Sequence, residues 1–433
     1  MSASTAAPPT PRRAAFTGFV GTTIEWYDYY IFGTATALVL NSQFFPALDP
    51  VTATFASFAT FSVAFIARPL GGALFGHFGD RIGRKKMLVY SLLAMGFATL
   101  LVGVLPTYAQ IGVWAPILLV ACRFVQGVAV GGEWGGGVLM ALEHAPPHQR
   151  AFYASWPQCG VPAGTVLSSG AFFLVQLMPD DAFLSWGWRL PFFGSAALVL
   201  VGLYIRLKVT ESPDFLQVKA RGEQVKVPAA DVFRSHNKPL IIGMLCTAAP
   251  NIVFYLATVF MLSYGPKTVG YSRGQIFVCL MVAALLQVFT MPAIAVLADR
   301  SNKRRMLLIG CAAVAITAFP IFWLFNTGTT AGLLLSLILA LPIVHGTAYG
   351  VISSFIAELF PANIRFTGSS LAYQLGGIVT SAPVPLLATL LLTEYGTTAA
   401  VSTYVVVAAA VAAAFVAWAP RTPATPATEE VAA

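Results

Sequence analysis

Twelve apolar runs follow one another along this 433-residue sequence, and their length leaves the chain one environment in which to fold. About 20 apolar residues in a helix cross the ~30 Å hydrocarbon core of a bilayer. Runs bounded by charges or turn residues place spans near 16–40, 53–76, 87–106, 113–141, 151–177 and 188–207. A second six lie near 239–265, 274–298, 306–326, 331–357, 366–392 and 398–418. Charged residues make up 10% of the chain, against about 25% in soluble domains. With a mean hydropathy of +0.77, the lipid bilayer is the expected surroundings and no separate soluble domain fits beside the spans. The fold class predicted is an all-α integral membrane protein with twelve transmembrane helices.

The one long polar stretch, residues 208–238, separates the runs six and six. It predicts an N-terminal six-helix bundle (1–207), a cytoplasmic linker (208–238) and a C-terminal six-helix bundle (239–420). The proline-rich tail (421–433) is expected to be disordered and cytoplasmic. Lys and Arg near span ends are retained on the cytoplasmic side. With the N-terminus inside, 20 of the 25 Lys and Arg fall in or beside cytoplasmic segments, and only Lys267 and Arg273 fall in external loops. Both termini are therefore expected in the cytoplasm of a multi-pass plasma-membrane protein. The pI of 9.3 reflects that topology and implies no nucleic-acid partner. Arg12 and Arg13 precede an apolar segment as in a signal peptide, but Glu25 and Asp28 interrupt it and no small-residue cleavage site follows, so a retained first span is expected. Five cysteines inside spans, without paired spacing, read as small buried hydrophobes; no disulfide, metal or cofactor is expected. The protein is taken as a monomer.

Charge is scarce, so its repetition is informative. GHFGDRIGRKK (76–86) carries Asp80, Arg81, Arg84, Lys85 and Lys86; AVLADRSNKRR (295–305) carries Asp299, Arg300, Lys303, Arg304 and Arg305 in the same order, 219 positions on. Glu143 and Arg150 end the fourth run, and Glu358 and Arg365 end the tenth with the same internal spacing, 215 positions on. Two dispersed motifs repeated at nearly one offset mark a duplicated six-span half, hence two pseudo-symmetric bundles.

These residues resemble a known family. Gly76 to Lys86 resembles the loop signature of the major facilitator superfamily, and Arg123-Phe-Val-Gln-Gly127 its fourth-helix signature. Glu25-Trp-Tyr-Asp28, Arg68-Pro-Leu-Gly-Gly72, Gly131-Gly-Glu-Trp134, Trp186-Gly-Trp-Arg-Leu-Pro191 and Glu211-Ser-Pro213 resemble the metabolite:proton symporters, which include shikimate, 2-oxoglutarate, citrate and proline/betaine permeases. The likeness is strongest over residues 18–215 and leans to the shikimate type. In the second loop Ser301-Asn302 stands where the first has Ile82-Gly83. The resemblance implies a secondary active carrier, not an enzyme, that moves a small organic anion with protons by alternating access. A zwitterionic solute such as proline or betaine is the alternative, and a solute sensor a third reading. The residues agree: no GxSxG, HExxH or GxxxxGK[ST] string occurs, so hydrolytic chemistry and ATP drive lack a signature.

Charges inside spans, at about 2.5–3.5 kcal/mol each on insertion scales, face a cavity or a partner. Glu25 and Asp28, three apart on one helical face, can share a proton or pair with an arginine; with Glu133 they are the candidate proton carriers. Arg123, Gln126 and Glu133 also share a face, and Arg123 either meets an anionic substrate or neutralises Glu133 or Asp28. Tyr27, Trp134, Asn251, Tyr255, His345 and Tyr349 complete the candidate substrate wall, with packing as the bland reading of each. An aromatic cage near Trp26 and Trp134 would suit an ammonium. Arg68 is expected to snorkel to the nearer membrane surface. Gly79 and Gly83 are expected to relax the loop turn, and Gly127, Gly131 and Gly135 to let helices approach closely. The loop charges Asp80, Arg81, Arg84, Glu143, Arg150, Asp299, Arg300, Glu358 and Arg365 are candidate gates that pair across bundles and release when the bundles rock.

Overall fold

In lipid a backbone N–H or C=O finds no water, so each crossing segment must satisfy its own hydrogen bonds as a helix. The computed structural model, which describes residues 10–47 and 50–420, is helical almost throughout. Its first two spans are Pro11–Ala35 and Pro50–Ile82. The third to sixth are Arg84–Val104, Trp114–Glu143, Pro147–Val175 and Gly187–Leu207. The seventh to twelfth are Asn237–Val269, Arg273–Arg300, Lys303–Phe325, Thr330–Glu358, Arg365–Tyr395 and Thr398–Trp418. Between the sixth and seventh lie two short helices, Pro213–Arg221 and Pro228–Ser235. The tail expected at 421–433 lies outside the described residues.

The spans pack as two six-helix bundles related by the internal repeat. The second span crosses to the eleventh, and the fifth crosses to the eighth; a shift of six spans turns one pairing into the other. Within the N-terminal bundle the second and fourth spans touch backbone to backbone. A Cβ on Gly127 or Gly131 would collide with the carbonyl oxygens of Ala64 and Arg68, so the glycine spacing serves packing here.

The two loop turns are built differently. Gly83, at φ +121°, makes the first, a conformation that a side chain would strain. Asn302 makes the second in extended backbone, its side chain accepting from Arg305 N at 3.2 Å. Gly79, expected to help the turn, sits inside the second span instead. A Cβ there would run into the Phe366 ring, so its role is the close approach of the eleventh span.

Among the described residues, π-helical turns occur at three of the spans. They occupy Thr36–Leu40 directly after the first, Leu256–Phe260 and Gly265–Val269 in the seventh, and Leu339–His345 in the tenth. Pro342 supplies the cause in the tenth, because it has no N–H to give to the helical ladder. These turns shift the face presented by the residues that follow, and two of them adjoin the central cavity.

Candidate transport site

A small cavity lies between the two bundles. Trp26, Phe65, Arg68 and Val161 form its N-terminal wall. Asn251, Phe254, Tyr255, His345, Tyr349, Tyr373, Gln374, Gly377 and Ser381 form the opposite wall. Arg68 is 8% exposed and lies over the Phe65 ring at 4.3 Å and the Tyr29 ring at 5.5 Å; its Nε has no hydrogen-bond partner among the described residues. The snorkelling expected of Arg68 is thus corrected. The second span continues to Ile82, fourteen residues beyond, which puts the Arg68 backbone about 21 Å from that helix end. No arginine side chain reaches that far.

Neutral groups face it. The Tyr349 and Tyr373 hydroxyls are 2.6 Å apart, His345 stacks on Tyr349 at 4.6 Å, and Asn251 donates to Thr380 Oγ1 at 3.0 Å. Trp26 meets Phe254 edge to face at 5.6 Å across the bundle interface. Glu25 is 4% exposed beside this wall, its Oε2 without a partner among the described residues, and the strongest charge acting on it is that of Arg68.

The structure takes the other fourth-span candidates away from the cavity. Arg123 lies over Phe32 at 3.9 Å and donates to Gln126 Oε1 at 2.8 Å; Gln126 donates to Thr99 Oγ1 at 2.6 Å, and Thr99 donates to Asp28 Oδ2 at 2.7 Å. This polar chain closes inside the N-terminal bundle. Glu133 pairs with Arg206 of the sixth span and accepts from Ser91 Oγ at 3.0 Å. Tyr27 donates to Pro191 O at 2.8 Å, which ties the first span to the sixth. Trp134 stacks flat on Tyr373 at 3.8 Å, bridging the bundles without lining the cavity. Of the eight candidate substrate residues, the structure brings Asn251, Tyr255, His345 and Tyr349 to the cavity and leaves Arg123, Gln126, Tyr27 and Trp134 outside it.

Because Glu133 is paired with Arg206 in this structure, Glu133→Gln is expected to act on stability more than on coupling. Removing one member of a buried pair strands the other and costs about 3–5 kcal/mol. The variant should melt at a lower temperature while surviving protein still accumulates solute on a pH gradient; loss of that accumulation at normal stability would return Glu133 to the proton path.

At the end nearest residues 208–238 the bundles are clamped. Asp80 accepts from Phe366 N (3.2 Å), Thr367 N (2.9 Å) and Thr367 Oγ1 (2.7 Å), so a carboxylate from the first half sits on the N-terminus of the eleventh span. Asp299 accepts from Ala151 N (2.9 Å) and Phe152 N (2.8 Å), the N-terminus of the fifth span. Each repeated acid therefore caps a helix of the other bundle. Arg365 bridges Glu143 across the bundles (3.1 Å) and Asp214 (2.7 Å), whereas the pairs Arg84–Glu143 and Lys303–Glu358 each lie within one bundle, so Glu358 does not pair across as expected. Arg84 also donates to Ala362 O at 3.0 Å. Arg81 and Arg300 stay exposed, the former 3.4 Å from His77, and Arg150 has an Nε without a partner among the described residues, so those three candidate gates are not drawn into the clamp.

Sequence reading missed the linker's share. Glu211 accepts from Arg84 N at 3.0 Å and Lys85 N at 3.2 Å, and Ser212 joins Arg84 to Glu143. The Glu-Ser-Pro string was visible but these partners lie 69 to 128 residues away. Neighbouring His144 donates to Met140 O at 2.8 Å, and burial holds its pKa below the usual histidine value, so it remains neutral near pH 7.

Two helical bundles around a polar central cavity, joined at one end by charge pairs, define a membrane carrier. The chain belongs to the Major Facilitator Superfamily, whose model matches residues 18–382. It is 41% identical over 383 residues to the inner membrane metabolite transport protein YhjE of Escherichia coli, covering 87% of each chain. It is 38% identical to the shikimate transporter of the same organism, covering 89% of this chain and 88% of that one. With the E. coli proline/betaine transporter it shares 34% identity over 85% of this chain and 75% of the other. The proton:xylose symporter XylE bound to 6-bromo-6-deoxy-D-glucose superposes with a TM-score of 0.74 at 16% identity, covering 94% of both chains.

Proposed function

We propose that this chain is a proton-coupled symporter of a small organic anion, a hydroxylated or cyclic monocarboxylate, acting as a monomer in the cell membrane. Both termini and residues 208–238 lie on the cytoplasmic side, supported by the 20 to 2 division of Lys and Arg between loops. The observation that carries the reading is Arg68. It presents a guanidinium to the cavity, opposite hydroxyl, amide and imidazole groups, and its charge acts on the nearby Glu25 carboxyl without a direct ion pair among the described residues. An ionised carboxylate with an unpartnered oxygen is costly in a buried site, so Glu25 holds either a proton or the attraction of Arg68. A bound anion takes Arg68 for itself, and Glu25 then travels protonated. Proton and anion move together by that exchange. The names of the metabolite and shikimate relatives support the substrate class.

The role first offered to Arg123 passes to Arg68, and the Asp28, Thr99, Gln126 and Arg123 chain becomes a second proton-sensitive element. Arg123→Lys is expected to leave anion affinity within about threefold of wild type while impairing accumulation on a pH gradient, because a lysine lacks the fork that holds Gln126. Equilibrium binding and uptake measured side by side check it; a large loss of affinity alone would restore Arg123 to the substrate.

A second reading has its own observation. Trp26, Phe65, Phe254 and Tyr255 are aromatic faces on the same cavity, fit to hold an ammonium while Arg68 takes the carboxylate of a zwitterion. Uptake of shikimate, 2-oxoglutarate, citrate, proline and betaine into vesicles containing the protein separates the two. The anion reading expects accumulation of a monocarboxylate, and uptake of betaine alone would favour the zwitterion.

A further inference from the structure

His345 lies in the tenth span, yet what fixes its chemistry is the eighth. Gln287 and His345 are each 1% exposed and hydrogen-bonded to one another through Gln287 Nε2 and His345 Nδ1. The same Nε2 donates to Leu341 O at 3.3 Å, and Thr290, one turn on, donates to Pro342 O at 2.9 Å. Two residues of one helix thus hold the π-helical turn that Pro342 opens. The orientation of the Gln287 amide is determined: rotated by half a turn, its Oε1 would face the Leu341 carbonyl oxygen, two acceptors with no proton between them. Both Nε2 hydrogens are then committed, one to Leu341 O and one to His345 Nδ1. Nδ1 must accept, so the ring proton sits on Nε2. The imidazole is packed between Tyr349 at 4.6 Å and Phe254 at 5.2 Å and forms part of the cavity wall, on the side opposite Arg68. Its Nε2 has no hydrogen bond among the described residues.

We infer that His345 is a specificity-determining donor, held in one tautomer by Gln287, whose Nε2–H selects a substrate carrying an oxygen acceptor, hydroxyl or keto, on the end away from its carboxylate. Gln287 is the positioning residue. The inference rests on the reading of the cavity as an organic-anion site with Arg68 at the carboxylate. It assigns His345 to recognition and leaves proton movement to the carboxyls. A buried donor left unpaired by a substrate that lacks the acceptor is penalised strongly, which makes it a better discriminator than an apolar wall.

Equilibrium binding to the purified full-length protein tests this with cyclohexanecarboxylate and its 4-hydroxy and 4-oxo derivatives, which place an oxygen across the ring from the carboxylate. Wild type should bind both oxygenated acids at least about tenfold more tightly than the unsubstituted one. His345→Phe keeps a flat ring and should reduce that preference below about threefold. Gln287→Glu gives a readout that a structural role would not move. A carboxylate there draws the proton to Nδ1 and leaves Nε2 an acceptor, so the 4-hydroxy acid, which can donate, should bind better than the 4-oxo acid, which has no O–H. If wild type binds these acids without discrimination, or if Gln287→Glu keeps the wild-type order, the inference is wrong while the anion site stands. If wild type binds none of them, nor shikimate, the anion reading fails and the inference falls with it.

Discussion

Arg68→Ala is expected to reduce accumulation of the anion by at least about 100-fold. Two charge-assisted hydrogen bonds to a carboxylate contribute about 1.5–3 kcal/mol each, and alanine removes both. The variant also takes from Glu25 the strongest opposite charge acting on it, so Glu25 keeps its proton and the driving exchange stops. Arg68→Lys keeps the charge without the fork and should fall at least about tenfold. Binding isotherms beside uptake on a pH gradient distinguish this from misfolding, because the aromatic stack under the guanidinium is a packing contact whose loss lowers melting temperature without a substrate signature. Wild-type anion affinity in Arg68→Ala would show that the substrate binds elsewhere.

The other large effect concerns the clamp. Asp80→Asn replaces a carboxylate that accepts three hydrogen bonds by an amide whose NH₂ faces backbone donors. Losing charge-assisted bonds at about 1.5–3 kcal/mol each should shift the balance of clamped and open forms by about 10- to 100-fold. Net transport should slow at least tenfold, with a smaller change in intrinsic anion affinity because the ligand is untouched. Asp299→Asn should do less, since Asp299 is partly exposed and accepts two such bonds. A cysteine in place of Ser353, whose hydroxyl reaches Ala154 O across the bundle interface at 3.0 Å, reports opening by its labelling rate. Unchanged labelling and unchanged transport in Asp80→Asn would remove the latch role.

Lipid made the fold legible. A bilayer fixes how long an apolar run must be, so the twelve spans can be drawn from hydropathy, and scarcity of charge makes a repeated charge order stand out. The acids Asp80 and Asp299 were legible for that reason. What they touch was not: their partners are backbone amides of Phe366, Thr367, Ala151 and Phe152, which carry no sequence signal. The cavity was less legible still. Helical spacing puts Arg123, Gln126 and Glu133 on one face but does not say which neighbour covers that face, and here the third and sixth spans do, through Thr99, Ser91 and Arg206. Arg68 was misplaced because the second span is helical as far as Ile82, past the charges at which a hydropathy reading ends it. Tyr373 and Gln374 passed unnoticed, a tyrosine and an amide in an apolar run being as common in packing as in binding.

Coupling of anion and proton is the central claim, and proton flux measures it most directly. In proteoliposomes with no imposed pH gradient, an inwardly directed shikimate gradient should acidify the lumen as protons enter with the anion, and Glu25→Gln should abolish that acidification while preserving shikimate exchange. Shikimate entry with no proton movement, or betaine uptake that rises with osmolality and no response to any organic acid, would contradict the account.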